Sequence, residues 1–348
     1  MIWLTWRQFR IQAVTAAAAL AAFAVLLAVT GPHLASLYSA SGITGCHGSS
    51  SCANLASAFL QQLGSGSYWL VYLVGIVIIL VTPAVIGIFW GAPLIAREFE
   101  AGTHYLAWNQ SVTRTRWLAV KLTLTGLAAL AVTEGLSLMQ AWWAAPIGRA
   151  VGRGGSGVQL AMGQYSSLVF ATHGITPLGY AAFAFALGVT TGVLLRRAVP
   201  AMAVTLAIFV VLQLAMPLWI RPHLFPPART VTTIGSTPLA GFQNNTQGAF
   251  TIAAGALSGQ PGAWIISSGA VDAAGQPTHT VPAACVQAGS GGAGSWLDCL
   301  ASHGIRVTVT YQPVSRYWAF EWTETAIYLA LALALTGYCY WRLARRLS

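Results

Sequence analysis

Arg97, Glu98 and Glu100, followed by Arg114, Arg116 and Lys121, place six charges in the segment Gly91–Lys121 of a chain that is only 7% charged. Long apolar runs flank the segment, so these charges need an aqueous partner, and the chemistry they offer is electrostatic recognition. Three carboxylates, Glu134, Glu321 and Glu324, fall inside apolar runs. A charge at mid-bilayer costs about 2.5–3.5 kcal/mol on insertion scales, so such groups face a partner or a wet path. They form either an acidic rim along a translocation path, attractive to cations, or an ion-paired rim that fixes helix packing. Arg221, Arg316 and His173 are candidate partners at the same level. Cys46 with Cys52, and Cys285 with Cys299, are two loop pairs. They suggest two disulfides facing an oxidising compartment, the alternative being free thiols. His47 between the first two cysteines finds no fourth ligand nearby, so no metal site is expected.

The elements that position these residues are membrane spans. At 56% hydrophobic, against the roughly 25% charged content of soluble domains, the chain reads as a membrane protein. Six segments reach the required length of about 20 apolar residues: Ile11–Val29, Tyr68–Trp90, Leu118–Trp142, Pro177–Leu195, Val199–Trp219 and Trp318–Tyr340. The first lacks a clean Ala-x-Ala site and reads as an uncleaved anchor. Arginine and lysine set the orientation. With both termini cytoplasmic, 11 basic residues fall inside and 6 outside, and all four loop cysteines face out. The net charge of +10 then expresses topology, and nucleic acid is not an expected partner. Sixteen arginines to one lysine suggest a high-GC bacterial gene and hence a bacterial cell membrane.

The expected fold is an all-α polytopic membrane protein with four parts. Residues 1–10, with Trp3, Trp6, Arg7 and Arg10 at helical spacing, form an interfacial amphipathic elbow helix. Residues 11–221 hold spans one to five and the cytoplasmic loop 91–121. Residues 222–317 form a small extracellular domain, in which the alternation Ile305, Val307, Val309, Tyr311 predicts a strand and Ala263–Ser268 a second. Residues 318–348 are span six and a basic tail. Pro83 should disturb span two. The spacings Gly87–Gly91 and Gly188–Gly192 let helices approach closely, within one subunit rather than at a dimer seam.

Within the loop, Arg97 and Glu100 are spaced to pair on one helical face, leaving Glu98 for a partner. Gly102 can end that helix in a left-handed cap. Tyr105 and Trp108 supply interfacial anchors. Ser111 or Thr113 can cap a second helix running into span three. The only lysine, Lys121, follows Val120, so no Gly-Lys-Ser/Thr phosphate loop exists. Neither H-E-x-x-H nor G-x-S-x-G occurs, and an enzymatic role is not expected.

The run Ala96–Thr103, followed by Gln110–Trp117, resembles the first cytoplasmic loop of ABC-2 type transporter permeases of the actinobacterial group. So do Trp3, Arg7, Gln8 and Arg10 at the N-terminus and the turn Leu194–Pro200. The resemblance implies a coupling helix docked on a separate ATP-binding subunit, which carries the ATP and magnesium. That role falls on Arg97, Glu98, Glu100, Gly102 and Thr103, with Arg114 and Arg116 behind them. Charge reversal at Glu98 and Glu100 is expected to abolish the association and leave the fold intact. Six spans imply pairing with a second copy or a paralogue, and transmission of motion to spans one, two and five. The long segment from Pro222 departs from compact exporters of this type. The alternatives are a membrane sensor or assembly protein with a ligand-binding ectodomain, and a proton-coupled carrier using Glu134 and Glu324.

Overall fold

The computed structural model describes residues 2–102, 113–155, 163–234, 239–244, 250–254, 262–278, 282, 285 and 293–345. Helix α1 spans Ile2–Ala40, α2 Ser49–Gly64, α3 Tyr68–Val85, α4 Ala92–Glu100 and α5 Arg114–Gly152. The short α6 (Ser167–Phe170) precedes α7 (Thr176–Leu195) and α8 (Ala198–Ala215). After a β-rich segment with α9 (Ala293–Ser302), α10 (Tyr317–Arg345) closes the chain. Six helical stretches are long and apolar enough to cross a membrane: Phe9–Ala40, Tyr68–Glu100, Thr115–Gly152, Thr176–Leu195, Ala198–His223 and Val314–Leu343. Each contains one of the expected spans, and most run further.

Two boundaries differ instructively. The expected elbow is not a separate element, because α1 runs unbroken from Ile2 to Ala40. No glycine, proline or capping residue separates Arg10 from the apolar run, so nothing interrupts the hydrogen-bond ladder. Trp3 and Trp6 are still exposed, and Arg7 lies 5.5 Å from the centre of the Trp3 ring. The second is α5, whose 39 residues extend about 58 Å, far beyond the roughly 30 Å hydrocarbon core. The Gly-rich stretch after Ala144 therefore begins as helix and becomes loop only past Gly152.

Helix α7 is the hub. Its membrane window is 78% buried, against 11% for α1, because it carries small residues where its neighbours cross. Between α3 and α4 the helix is π-wound over Ile86–Gly91, one turn after Pro83. Proline removes a donor from the ladder, and the wider π turn takes up the mismatch. This stretch lies directly on α7: a Cβ on Gly188 would sit 2.2 Å from the Gly87 carbonyl oxygen, and one on Gly192 2.5 Å from that of Ala92. The glycine spacings thus serve packing within one chain, as expected.

The segment between spans five and six carries strands β1 (Ala228–Thr233), β2 (Leu239–Asn244), β3 (Phe250–Ala254), β4 (Trp264–Val271) and β5 (Arg306–Gln312). Strands β1, β5 and β4 form an antiparallel sheet with β5 central, and β2 pairs with β3. Both expected strands are present, as β5 and β4. Val307 and Val309 of β5 are fully buried against Ile234, Ala270 and Leu300. Disulfides join Cys46 to Cys52 and Cys285 to Cys299. Tyr165 anchors the sheet to the spans: its hydroxyl donates to the Pro313 carbonyl at 2.9 Å and its ring stacks on Trp264. Burial pushes its phenol up to about 12, so it remains a donor at neutral pH.

Candidate functional site

The polar segment Gly91–Lys121 begins as α4, continuous through the π turn with span two. Arg97 is exposed on its last turn. Ala101 and Gly102 end it: the Ala101 N–H donates to the Arg97 carbonyl at 3.0 Å, and Gly102 has φ +67°. That left-handed value is what the glycine was expected to supply. The next helix starts as expected at Thr113, whose hydroxyl accepts from the Arg116 N–H at 3.4 Å. Arg116 is exposed. Of Arg114 the backbone is helical; Thr103, Tyr105, Trp108 and Ser111 lie outside the described residues.

The two glutamates are engaged differently from the expectation. No Arg97–Glu100 pair is made among the described residues, and Glu98 is not left for an outside partner. Glu98 forms an ion pair with Lys121 of α5, whose ammonium also lies 4.9 Å from the Trp117 ring centre. Glu100 Oε1 accepts from the Ala198 N–H at 2.9 Å, at the first turn of α8. The energetics explain both. A surface i,i+3 pair is worth about 0.2–0.5 kcal/mol, whereas a buried lysine without a counter-charge is far more costly. Lys121 is 2% exposed, so it takes the carboxylate. Helix α8 has Arg197 at its N-cap with no side-chain cap, so its first N–H groups need an acceptor from elsewhere. That missing cap was a signal in the sequence. The turn before α8 is tight: Arg196 has φ +53°, and its guanidinium lies 5.7 Å from the Phe99 ring centre. Charge reversal at Glu98 or Glu100 would therefore disturb packing, contrary to the expectation of an intact fold. Among the described side chains of this segment, Arg97 and Arg116 are exposed cations, and Glu100 is exposed as well.

At the opposite ends of the spans, Arg221 meets Glu324 in a two-pronged pair, Nε to Oε2 at 2.9 Å and Nη2 to Oε1 at 3.0 Å. Both side chains are buried, and the Tyr180 hydroxyl donates to the same carboxylate. Arg221 also lies 4.0 Å from the Phe170 ring centre. Glu321 Oε2 accepts from the Ile175 N–H at 3.0 Å. Gly174, at φ +65°, makes room for that carboxylate, since a Cβ there would lie 1.9 Å from it. Arg316 instead binds the Pro226 carbonyl at 2.6 Å and Gln312 at 2.9 Å. His173 contacts the Val169 carbonyl at 3.0 Å, and its burial lowers the imidazole below the usual histidine range, against that hydrogen bond. Among the described residues, Glu134 Oε2 and Glu321 Oε1 are buried without a hydrogen-bond partner. Glu324 and Glu321 are thus tied into helix packing. Cys285, Cys299 and His303 lie together, but the two sulfurs are bonded to each other and offer no thiolate.

A family model described as ABC-2 membrane transporter related matches residues 17–221, more than half of the chain. The chain belongs to this family. It is an ABC-2 type permease, a multi-pass membrane protein of a class in which the ATPase is a separate subunit. No curated protein and no solved structure matches it. In this permease the family match covers spans one to five and stops at Arg221, so the β-rich segment and span six lie beyond it.

Proposed function

We propose that this permease couples ATP hydrolysis by a separate ATP-binding subunit to efflux of a substrate across a bacterial cell membrane. The subunit holds the ATP and magnesium, and the permease works as a pair, with a second copy or a paralogue. In this reading the termini and α4 face the cytoplasm, and the disulfide-bearing segments face out. The docking surface is the exposed end of α4 and the start of α5, with Arg97 and Arg116 as its exposed cations.

The single observation that carries this reading is how α4 is tied. It is continuous with span two, bound to span three by Glu98–Lys121, and bound to the start of span five by Glu100 and Ala198. Phe9 of α1 adds an edge-on contact to Trp90 at 4.9 Å. A displacement applied at Ala101–Gly102 is therefore delivered to several spans at once rather than absorbed in a loop. Buried ion pairs and helix caps suit such a link, because they are discrete contacts that hold one geometry.

The test is co-expression with a candidate ATP-binding subunit that co-purifies with the wild-type permease. Arg97→Glu with Arg116→Glu should abolish co-purification while leaving the unfolding temperature of the permease unchanged. Full retention of the subunit by that double variant would sink the assignment of this surface.

A further inference from the structure

A cavity of about 560 Å³ opens where α5 meets the β-rich segment and the start of α10. That volume lies within the roughly 300–1,000 Å³ range of small-molecule sites. One wall is α5, presenting the small Ala141, Ala144, Ala145 and Gly148 beside the branched apolar Ile147 and Val151. Facing it are Tyr317 and Trp318 at the head of α10. Gln164, His173 and Ser315, with the tyrosines Tyr72 and Tyr317, are the residues of its lining that carry polar side-chain groups.

Among the described residues no charged side chain lines the cavity, although several stand close by in sequence. Arg149 lies over the Tyr38 ring at 5.0 Å, and Arg153 donates to the Ile43 carbonyl. Arg316 is engaged with Pro226 and Gln312, and Glu321 with Ile175. Arg149, Arg153 and Arg316 are engaged away from the cavity and Glu321 Oε2 is held by Ile175, so a charged ligand would be desolvated there with no counter-charge in the described lining. The His173 ring adds direction. Its Nδ1 faces a carbonyl, which can only accept, so Nδ1 carries the proton and Nε2 is the acceptor. Burial keeps that ring neutral, consistent with the geometry.

We propose that this cavity binds an uncharged amphiphile, its apolar body along the Ala141–Gly148 wall and Trp318, and a hydroxyl or amide N–H turned toward His173 and Gln164. This does not depend on coupling to an ATPase, and binding to the purified permease is read separately from transport. A neutral membrane lipid and an exported amphiphile share this chemistry.

The experiment uses the full-length permease in phospholipid nanodiscs and a sixteen-carbon alcohol bearing a diazirine, with adducts mapped by peptide mass spectrometry. Saturable labelling is expected at Tyr317, Trp318 and the α5 wall. The matching diazirine carboxylate should label these positions at least about tenfold less. Gly148→Leu fills the cavity from a position where a Cβ meets nothing within 4 Å, so it should fold normally and reduce labelling by a similar factor. Ala145→Leu repeats the test from the next turn. Solvent extraction of the unlabelled permease separates the sources. A neutral lipid lost in Gly148→Leu identifies a resident lipid, and an empty extract with saturable labelling identifies an exchangeable ligand. Unsaturable labelling, equal labelling by the carboxylate, or labelling unchanged in both filled variants would overturn the proposal.

Discussion

Glu98→Gln keeps the shape of the side chain and removes the charge paired with Lys121 in an ion pair whose side chains are 3% (Lys121) and 14% (Glu98) exposed. Breaking a buried pair from one side costs about 3–5 kcal/mol. A ceiling exists, because the ammonium can shed its proton. From an ordinary value near 10.4 down to pH 7 that costs about 4.6 kcal/mol at 1.36 kcal/mol per unit. Water reaches the Glu98 side of the pair, so the lower end, about 3 kcal/mol, is expected. At roughly 2–4 °C per kcal/mol the unfolding temperature should fall by roughly 6–12 °C. Lys121→Met leaves behind the more exposed partner and should cost less. The double variant Glu98→Gln/Lys121→Met should recover most of the loss, since an apolar replacement of a buried pair is often neutral. The assay is thermal unfolding in nanodiscs, followed by tryptophan fluorescence. A Glu98→Gln variant within 2 °C of wild type, taken as roughly the smallest shift worth 1 kcal/mol, or a double variant no better than the single, would refute the reasoning.

Glu100→Ala removes the acceptor for the Ala198 N–H and should cost about 0.5–2 kcal/mol, as loss of a helix cap does, read in the same unfolding assay. Gly188→Ala should be much worse than Gly148→Ala: the first drives a Cβ to 2.2 Å from the Gly87 carbonyl oxygen, the second meets nothing, and an exposed helical Gly→Ala gains about 1 kcal/mol. His173 is held below its free value, so the unfolded chain takes up the proton first. Its contribution is complete above the ordinary value near 6.5 and lost as pH falls below it; His173→Gln should flatten that part of a pH–stability profile.

The spans were legible because apolar runs of the right length have no other use, and β5 because its alternation matches a half-buried strand. The glycine spacings were legible because only close helix approach requires them. The span ends were not, since α1 runs on past Val29 through Gly31 and Pro32, and α5 past Trp142 through Pro146. At the site, Gly102 and Thr113 were readable because caps are local. The partners of Glu98 and Glu100 were not: they lie 23 and 98 residues away, and local spacing offered Arg97 as a nearer choice. Of the acidic rim, the Glu324–Arg221 pair was among the candidates, while the seat of Glu321 on Gly174 and Ile175 depends on a turn that spacing alone does not reveal.

In the proposed coupling, α4 and the start of α8 move as one unit under force from an ATP-binding subunit. Spin labels at Ala101→Cys, at the exposed end of α4, and Val199→Cys, 75% exposed on α8, give the direct measurement by pulsed dipolar spectroscopy in the assembled transporter. The 101–199 distance within one permease should stay fixed when ATP is trapped, while the 101–101 distance between the paired permeases should change. A 101–199 distance that changes with nucleotide, or a 101–101 distance that ignores it, would contradict the account.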